Sequence, residues 1–128
     1  MDVTSFRVEI APAIVDDLHQ RIAATRWPDE VDGAEWAYGA NLTYLRELAD
    51  YWRDYFDWSA QERLLNGFNH FHAQIGGKRI HFIHARASGN PEIRPLPLIL
   101  THGWPGTFFE LLKLIPRLAD PARYGADP

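Results

Sequence analysis

The sequence predicts an α/β protein: a helical N-terminal meander, then the first strands and first helix of a sheet that stays incomplete within 128 residues. Three observations predict it. Apolar residues recur at helical spacing as far as Gly67. The period then drops to two on either side of Gly76-Gly77. Finally, a continuous apolar run at Leu98-Ile99-Leu100 leads into a glycine-rich turn and another helical pattern, the strand-turn-helix order of an α/β sheet.

Each element has its own local reason. Pro12 suits a first helical turn, Ile14, Leu18 and Ile22 follow at four-residue spacing, and Pro28 ends the helix at Arg26-Trp27. Residues 28–41 read as a loop, with Asp29, Asp32, Gly33, Gly39 and Asn41. Leu42, Leu45, Ala49, Trp52 and Phe56 form one apolar helical face. Ser59-Ala60-Gln61-Glu62 reads as a capping box for a third short helix, closed by Gly67. Phe71, Ala73 and Ile75 alternate with His70, His72 and Gln74, and Ile80, Phe82 and His84 alternate on the returning strand. Ala87 to Pro97 is a loop rich in Gly and Pro. Leu98-Ile99-Leu100 has the character of a strand buried on both faces. Thr107-Phe108-Phe109-Glu110 reads as a second capping box, opening a helix with Leu111, Leu112, Ile115 and Leu118 that Pro116 kinks or shortens.

Composition excludes several classes. Lys plus Arg is 13 and Asp plus Glu is 17, a net charge of −4, which argues against nucleic acid. At 46% apolar and 23% charged residues, the chain is of ordinary globular make-up. Cysteine is absent, so there is no disulfide framework and no thiol nucleophile. No apolar stretch approaches the roughly 18 residues of a membrane span, and Met1-Asp2-Val3-Thr4 lacks the regions of a signal peptide. A cytoplasmic location is the expectation. Serine occurs only at Ser5, Ser59 and Ser88, which weakens a serine-hydrolase reading.

The segment that carries chemistry is the turn His102-Gly103-Trp104-Pro105-Gly106. Such a turn, between a strand end and a helix start, exposes unpaired backbone N–H groups at the carboxyl end of a sheet, where ligands bind. Gly103 and Gly106 let the backbone bend and a ligand approach, and a cis bond before Pro105 would fix neighbouring N–H directions. These donors suit developing negative charge on an oxygen. The alternative is a tight structural turn without chemistry.

Strand, His-Gly-Xaa-Pro and helix together resemble the oxyanion-hole loop of α/β-hydrolases, in the form typical of epoxide hydrolases. Arg26-Trp27-Pro28-Asp29, Trp36-Ala37-Tyr38-Gly39, Tyr51-Trp52-Arg53-Asp54, Phe56-Asp57-Trp58 and Ile80-His81-Phe82-Ile83-His84 are similar to the hallmarks of the N-terminal region of microsomal-type epoxide hydrolases. Ala37 departs from the family's serine in Trp-Ser-Tyr-Gly. The resemblance implies two parts, residues 1–69 as the helical N-terminal region and residues 70–128 as the beginning of the α/β-hydrolase domain. It implies hydrolysis of an epoxide to a vicinal diol through an aspartyl ester, without cofactor. The family's nucleophile is an aspartate on a later elbow; its acid and base are cap tyrosines and a histidine–carboxylate pair. This chain has no Gly-x-Asp-x-Gly or Gly-x-Ser-x-Gly elbow, and none of its ten Asp matches the nucleophile. The resemblance therefore carries over the oxyanion loop: the backbone N–H of Trp104, within His102, Gly103, Pro105 and Gly106.

In the α/β-hydrolase order, strand 98–101 has no direct neighbour within this chain. The expectation is a fragment, a truncated product or one part of a split enzyme, inactive alone and partnered by the remaining α/β-hydrolase and cap domain or another chain. Homo-oligomers, or partial order after Ala87, would follow from the exposed sheet edge. The helical half either wraps that catalytic domain or forms its own small core. The competing classes are a non-catalytic binding or scaffolding module and another α/β-hydrolase such as an esterase.

Other residues read more plainly. His70, His72, His81 and His84 invite a metal, but no carboxylate or cysteine stands at ligand spacing, and the expectation is surface histidines with no metal. His102 suits an orienting role. Tyr38, Tyr44, Tyr51 and Tyr55 precede the sheet and read as packing residues. Asp50, Asp54 and Asp57 with Arg46 and Arg53 read as a solvated helical face with ion pairs.

Overall fold

The computed structural model describes residues 2–88 and 94–126. The expected Gly/Pro loop from Ala87 to Pro97 therefore lies partly outside the described residues. The chain divides into two compact units, one of Arg7–Gly67 and one of Met1–Phe6 with Phe68–Pro128.

The first unit is helical. Helix α1 spans Pro12–Ala23, with Pro12 in its first turn. It ends before the position expected from Pro28. The Thr25 N–H donates to the Ile22 carbonyl at 3.1 Å and the Thr25 hydroxyl to the Arg21 carbonyl at 3.1 Å, closing the last turn three residues early. Helix α2, Leu42–Asp54, begins where the Asn41 side chain accepts the Tyr44 N–H at 2.9 Å. α1 and α2 pack on each other. Helix α3, Trp58–Leu65, corrects the expected Ser59 cap. Its cap is Asp57, which accepts the Ala60 N–H at 2.9 Å.

Glu62, expected to complete a capping box with Ser59, instead accepts the Ile10 N–H at 2.6 Å. The Asn66 amide pairs with both backbone groups of Val8, accepting its N–H at 2.9 Å and donating to its carbonyl at 2.8 Å. One side chain thus does for Val8 what a neighbouring strand would do.

The second unit holds a three-stranded antiparallel sheet in the order β1 (Val3–Phe6), β2 (His70–Ile75), β3 (Lys78–Ile83). Gly76 and Gly77 have φ of 55° and 74° and join Ile75 to its partner Lys78 in a two-residue turn. Strand β1 has no counterpart in the sequence expectations. It is four residues long, and its partners, from Ala73 back to His70, lie far along the chain.

The expected strand at residues 98–101 is not formed. Its backbone is irregular, and Leu98 is 64% and Ile99 88% exposed where burial on both faces was expected. A strand needs a neighbour to take its N–H and C=O groups, and no described strand lies beside this one. The single helix expected after Thr107 is also corrected. A 3₁₀ turn over Phe108–Leu111 is followed by a separate helix α4, Ile115–Ala119. Pro116 lacks the N–H that would continue the first turn and sits instead at the start of the second.

Among the described residues the buried positions are Leu65, Ala73, Leu112 and the polar His70. No described helix is long and apolar enough to cross a membrane.

Candidate functional site

The loop at 102–106 has few ties to its surroundings. The Trp104-Pro105 peptide is cis. The Trp104 side chain is 97% exposed. Among the described residues its backbone N–H has no hydrogen-bond acceptor. His102 is exposed, with its Nδ1 3.3 Å from the Gly103 carbonyl.

The two glycines differ. A Cβ at Gly106 would run into the Glu110 carboxylate, which folds back over the loop, whereas a Cβ at Gly103 would meet open space. Neither has a positive φ. Thr107 caps the following turn through Phe109, whose N–H reaches its hydroxyl at 3.2 Å. The expected reciprocal partner, Glu110, is occupied on the other side of the cap, at Gly106.

Of the four histidines expected at the surface, His84 is exposed, His72 and His81 are half-buried and His70 is buried. His70 is 3% exposed, and its Nδ1 lies 2.9 Å from His81 Nε2, with the two rings stacked at 5.1 Å. His72 lies across from His81, with ring centroids 5.9 Å apart, and its ring is tilted against Phe6 at 4.3 Å. Burial, then the proximity of His70 and His72, holds His81 below the usual histidine range. His84 lies elsewhere, edge-on to Phe71 at 6.3 Å. Among the described residues no three His, Cys, Asp or Glu side chains are disposed to hold a metal ion.

Sequence reasoning missed Phe108 as a site neighbour. Its ring stands edge-on to His81 at 4.9 Å and to His70 at 6.1 Å. The one available signal was the two-residue hairpin, whose register sets His72 opposite His81 and leaves His70 beside it.

In the helical unit, Tyr44 packs on Trp36 at 5.3 Å and Tyr51 stacks on Tyr55 at 6.2 Å, while Tyr38 is 83% exposed. Arg53 pairs with Asp50 at 3.0 Å and Asp54 at 2.6 Å, and Asp57 with Arg63 at 3.6 Å. A hollow of about 220 Å³ in this unit, between the 28–40 loop and Leu42 and Leu45, includes none of the 102–106 loop.

The family model described as "Epoxide hydrolase N terminus" matches residues 3–111, the 102–106 loop included. The chain belongs to the epoxide hydrolase N-terminal family. It is 43% identical over 124 residues to "Epoxide hydrolase 1" of Oryctolagus cuniculus, covering 96% of this chain and 27% of the relative. It is 34% identical to "Juvenile hormone epoxide hydrolase 2" of Ctenocephalides felis, covering 91% and 25%. Among solved structures, juvenile hormone epoxide hydrolase from the silkworm Bombyx mori superposes with a TM-score of 0.84 at 28% identity, over 91% of this chain and 31% of that one. Aspergillus niger epoxide hydrolase gives 0.78 at 27% identity, over 89% and 30%. This epoxide hydrolase N-terminal chain thus spans about a quarter of the length of the relatives it matches. Its fold is that of the corresponding part of an α/β-hydrolase.

Proposed function

We propose that the chain is the N-terminal portion of an epoxide hydrolase that converts epoxides to vicinal diols through an aspartyl ester. In this reading the Trp104 N–H, in the turn formed by His102, Gly103, Pro105 and Gly106, is the oxyanion donor for hydrolysis of that ester. The remainder of the α/β-hydrolase and the cap supply the nucleophile, the ring-opening acids and the water-activating base. The helical region braces those domains. A small-molecule epoxide is the substrate, and the setting is cytoplasmic. The observation that carries the reading is the match of nearly the whole chain, loop included, to proteins named as epoxide hydrolases.

Two features of the chain support it. The Trp104 N–H lacks an acceptor among the described residues, as a donor reserved for a reacting oxygen requires. The exposed apolar run Leu98-Ile99-Leu100 directly precedes the loop, and an adjoining sheet would cover it and set the loop at a strand end. The test is a graft: residues 1–128 replace the corresponding part of the Oryctolagus cuniculus relative, and diol formation from styrene oxide is followed. Turnover by the folded graft is expected. A folded graft that binds substrate and forms neither ester nor diol would contradict the proposal.

A further inference from the structure

We propose that the outward face of α2, formed by Tyr44, Leu48, Tyr51, Trp52 and Tyr55, docks an apolar surface of the remaining parent chain that carries basic residues opposite the 28–40 loop. The inference rests on the reading of this chain as one part of an epoxide hydrolase, and names the face through which the helical region meets the rest.

Helix α2 has two apolar faces. At 100° per residue, Leu42, Leu45 and Ala49 share one arc and are half-buried. Tyr44, Leu48, Tyr51 and Tyr55 share the next, an arc of about 60°. They are 49%, 48%, 55% and 76% exposed. Trp52 stands between the two arcs and is also exposed. The charged residues Arg46, Glu47, Asp50, Arg53 and Asp54 fall outside both arcs, and Arg53 pairs with Asp50 and Asp54. Tyr51 and Tyr55 are stacked on each other and Tyr44 lies against Trp36, itself 59% exposed. An uncharged stripe of Tyr and Trp is the make-up of a protein contact rather than of a solvated helix face.

One end of the stripe is bordered by negative charge. The 28–40 loop is tied to the start of α2 by the Trp36–Tyr44 contact and by Glu30, which accepts the Leu42 N–H at 3.0 Å. The loop holds Asp29, Glu30, Asp32 and Glu35, and residues 27–45 contain no Lys or Arg. The 13 acids elsewhere balance the 13 Lys and Arg, so the whole net charge of −4 resides here. Among the described residues the carboxylates of Asp29, Asp32 and Glu35 have no partner.

These features select the occupant. About three-quarters of each curated relative lies outside the matched region, and the chain superposes on a juvenile hormone epoxide hydrolase that is about three times as long. A second copy offers the acidic loop no surplus of cations, because the rest of this chain is electroneutral. An anionic membrane would repel that loop. A basic-bordered surface of the remaining enzyme satisfies both the stripe and the charge.

The test compares the isolated 128-residue chain with the graft. Tyr44, Tyr51 and Tyr55 should be nitrated by tetranitromethane in the isolated chain and lose that reactivity in the graft, as mapped by peptide mass spectrometry. Equal reactivity in the two would overturn the proposal. Protection in the isolated chain with a dimer mass by light scattering would overturn it in favour of a second copy, and protection by phosphatidylserine vesicles in favour of a membrane. Tyr51→Lys should leave the urea midpoint of the isolated chain nearly unchanged, as expected for an exposed residue, and lower the thermal midpoint of the graft or abolish its folding. A graft indifferent to Tyr51→Lys would contradict the docking. The combined change Asp29→Asn, Asp32→Asn and Glu35→Gln should lower the midpoint of the graft and spare the isolated chain; an unaffected graft would remove the basic border. A graft with protected tyrosines and no diol formation would sink the catalytic reading and leave this surface standing, and turnover with reactive tyrosines would do the reverse.

Discussion

The two units are held by different means. In the helical unit the helix boundaries and the 7–10 segment are tied by single side chains to single backbone groups. Asn41 and Asp57 cap α2 and α3, while Glu62 and Asn66 hold Ile10 and Val8. In the sheet unit, the strands exist only as pairs, and a stacked histidine layer lies across them. Where pairing stops, at residues 98–101, regular structure stops too, and the apolar side chains stand exposed. Local capping therefore completes a helix from its own sequence, whereas an α/β strand is complete only beside its neighbour.

The largest expected consequence is for activity. The isolated 128-residue chain lacks an elbow nucleophile and should show no diol formation from styrene oxide above background. Diol production by clean protein, abolished by a point substitution in this chain, would sink that expectation. Hydrogen exchange provides the matching structural contrast. Amides of Ile99, Leu100 and Thr101 should exchange as an unprotected segment, and those of α2 far more slowly. A monodisperse monomer by light scattering, with these three amides as protected as α2, would mean that the chain completes its core alone.

Smaller effects should sort by mechanism. Asn66→Ala removes two hydrogen bonds to partly buried backbone and should cost about 2 kcal/mol in urea denaturation. Asp57→Ala removes a helix cap and should cost about 1 kcal/mol. Ser59→Ala, inside the same helix, should lie within about 0.5 kcal/mol of zero. Equal costs for Asp57→Ala and Ser59→Ala would reassign the cap.

His81 supplies a pH dependence. Its folded midpoint lies below its unfolded value of about 6.5, because burial and its neighbours disfavour the charged form. The unfolded chain then binds more protons, so stability is full above about pH 6.5 and declines as pH falls toward the folded midpoint. Denaturation midpoints in His81→Gln should lack this component. The smallest effect is expected at Gly103→Ala, which meets open space and should leave stability unchanged. A loss of turnover in the graft with stability intact would then come from a ligand approaching that backbone.

The same contrast explains what could be read from sequence. Helices α1, α2 and α3 and the Gly76-Gly77 hairpin depend on residues close in the chain, and apolar periodicity and turn residues located them. Strand β1 escaped because Val3-Thr4-Ser5-Phe6 has no local signature, and its partners, from His70 to Ala73, lie far along the chain. The run 98–101 was read as a strand because its composition anticipates a neighbour that the described sheet does not provide. In α3, Ser59 and Glu62 have capping-box spacing, but Asp57 stands two residues earlier and takes the cap, which frees Glu62 for Ile10. At the candidate site the loop was legible as a motif. The seat of Phe108 was not, because ring contacts between a hairpin and a distant turn leave no periodic trace.

The most direct test is single-turnover kinetics of the graft carrying Trp104→Pro, after its folding has been verified by circular dichroism. Removing one oxyanion donor should slow ester hydrolysis by about 10²-fold, near 3 kcal/mol, while the alkylation step is retained. Covalent alkyl-enzyme should therefore accumulate and be visible by mass spectrometry of the quenched reaction. An unchanged rate of ester hydrolysis in a folded Trp104→Pro variant would contradict the assignment of this loop to the oxyanion.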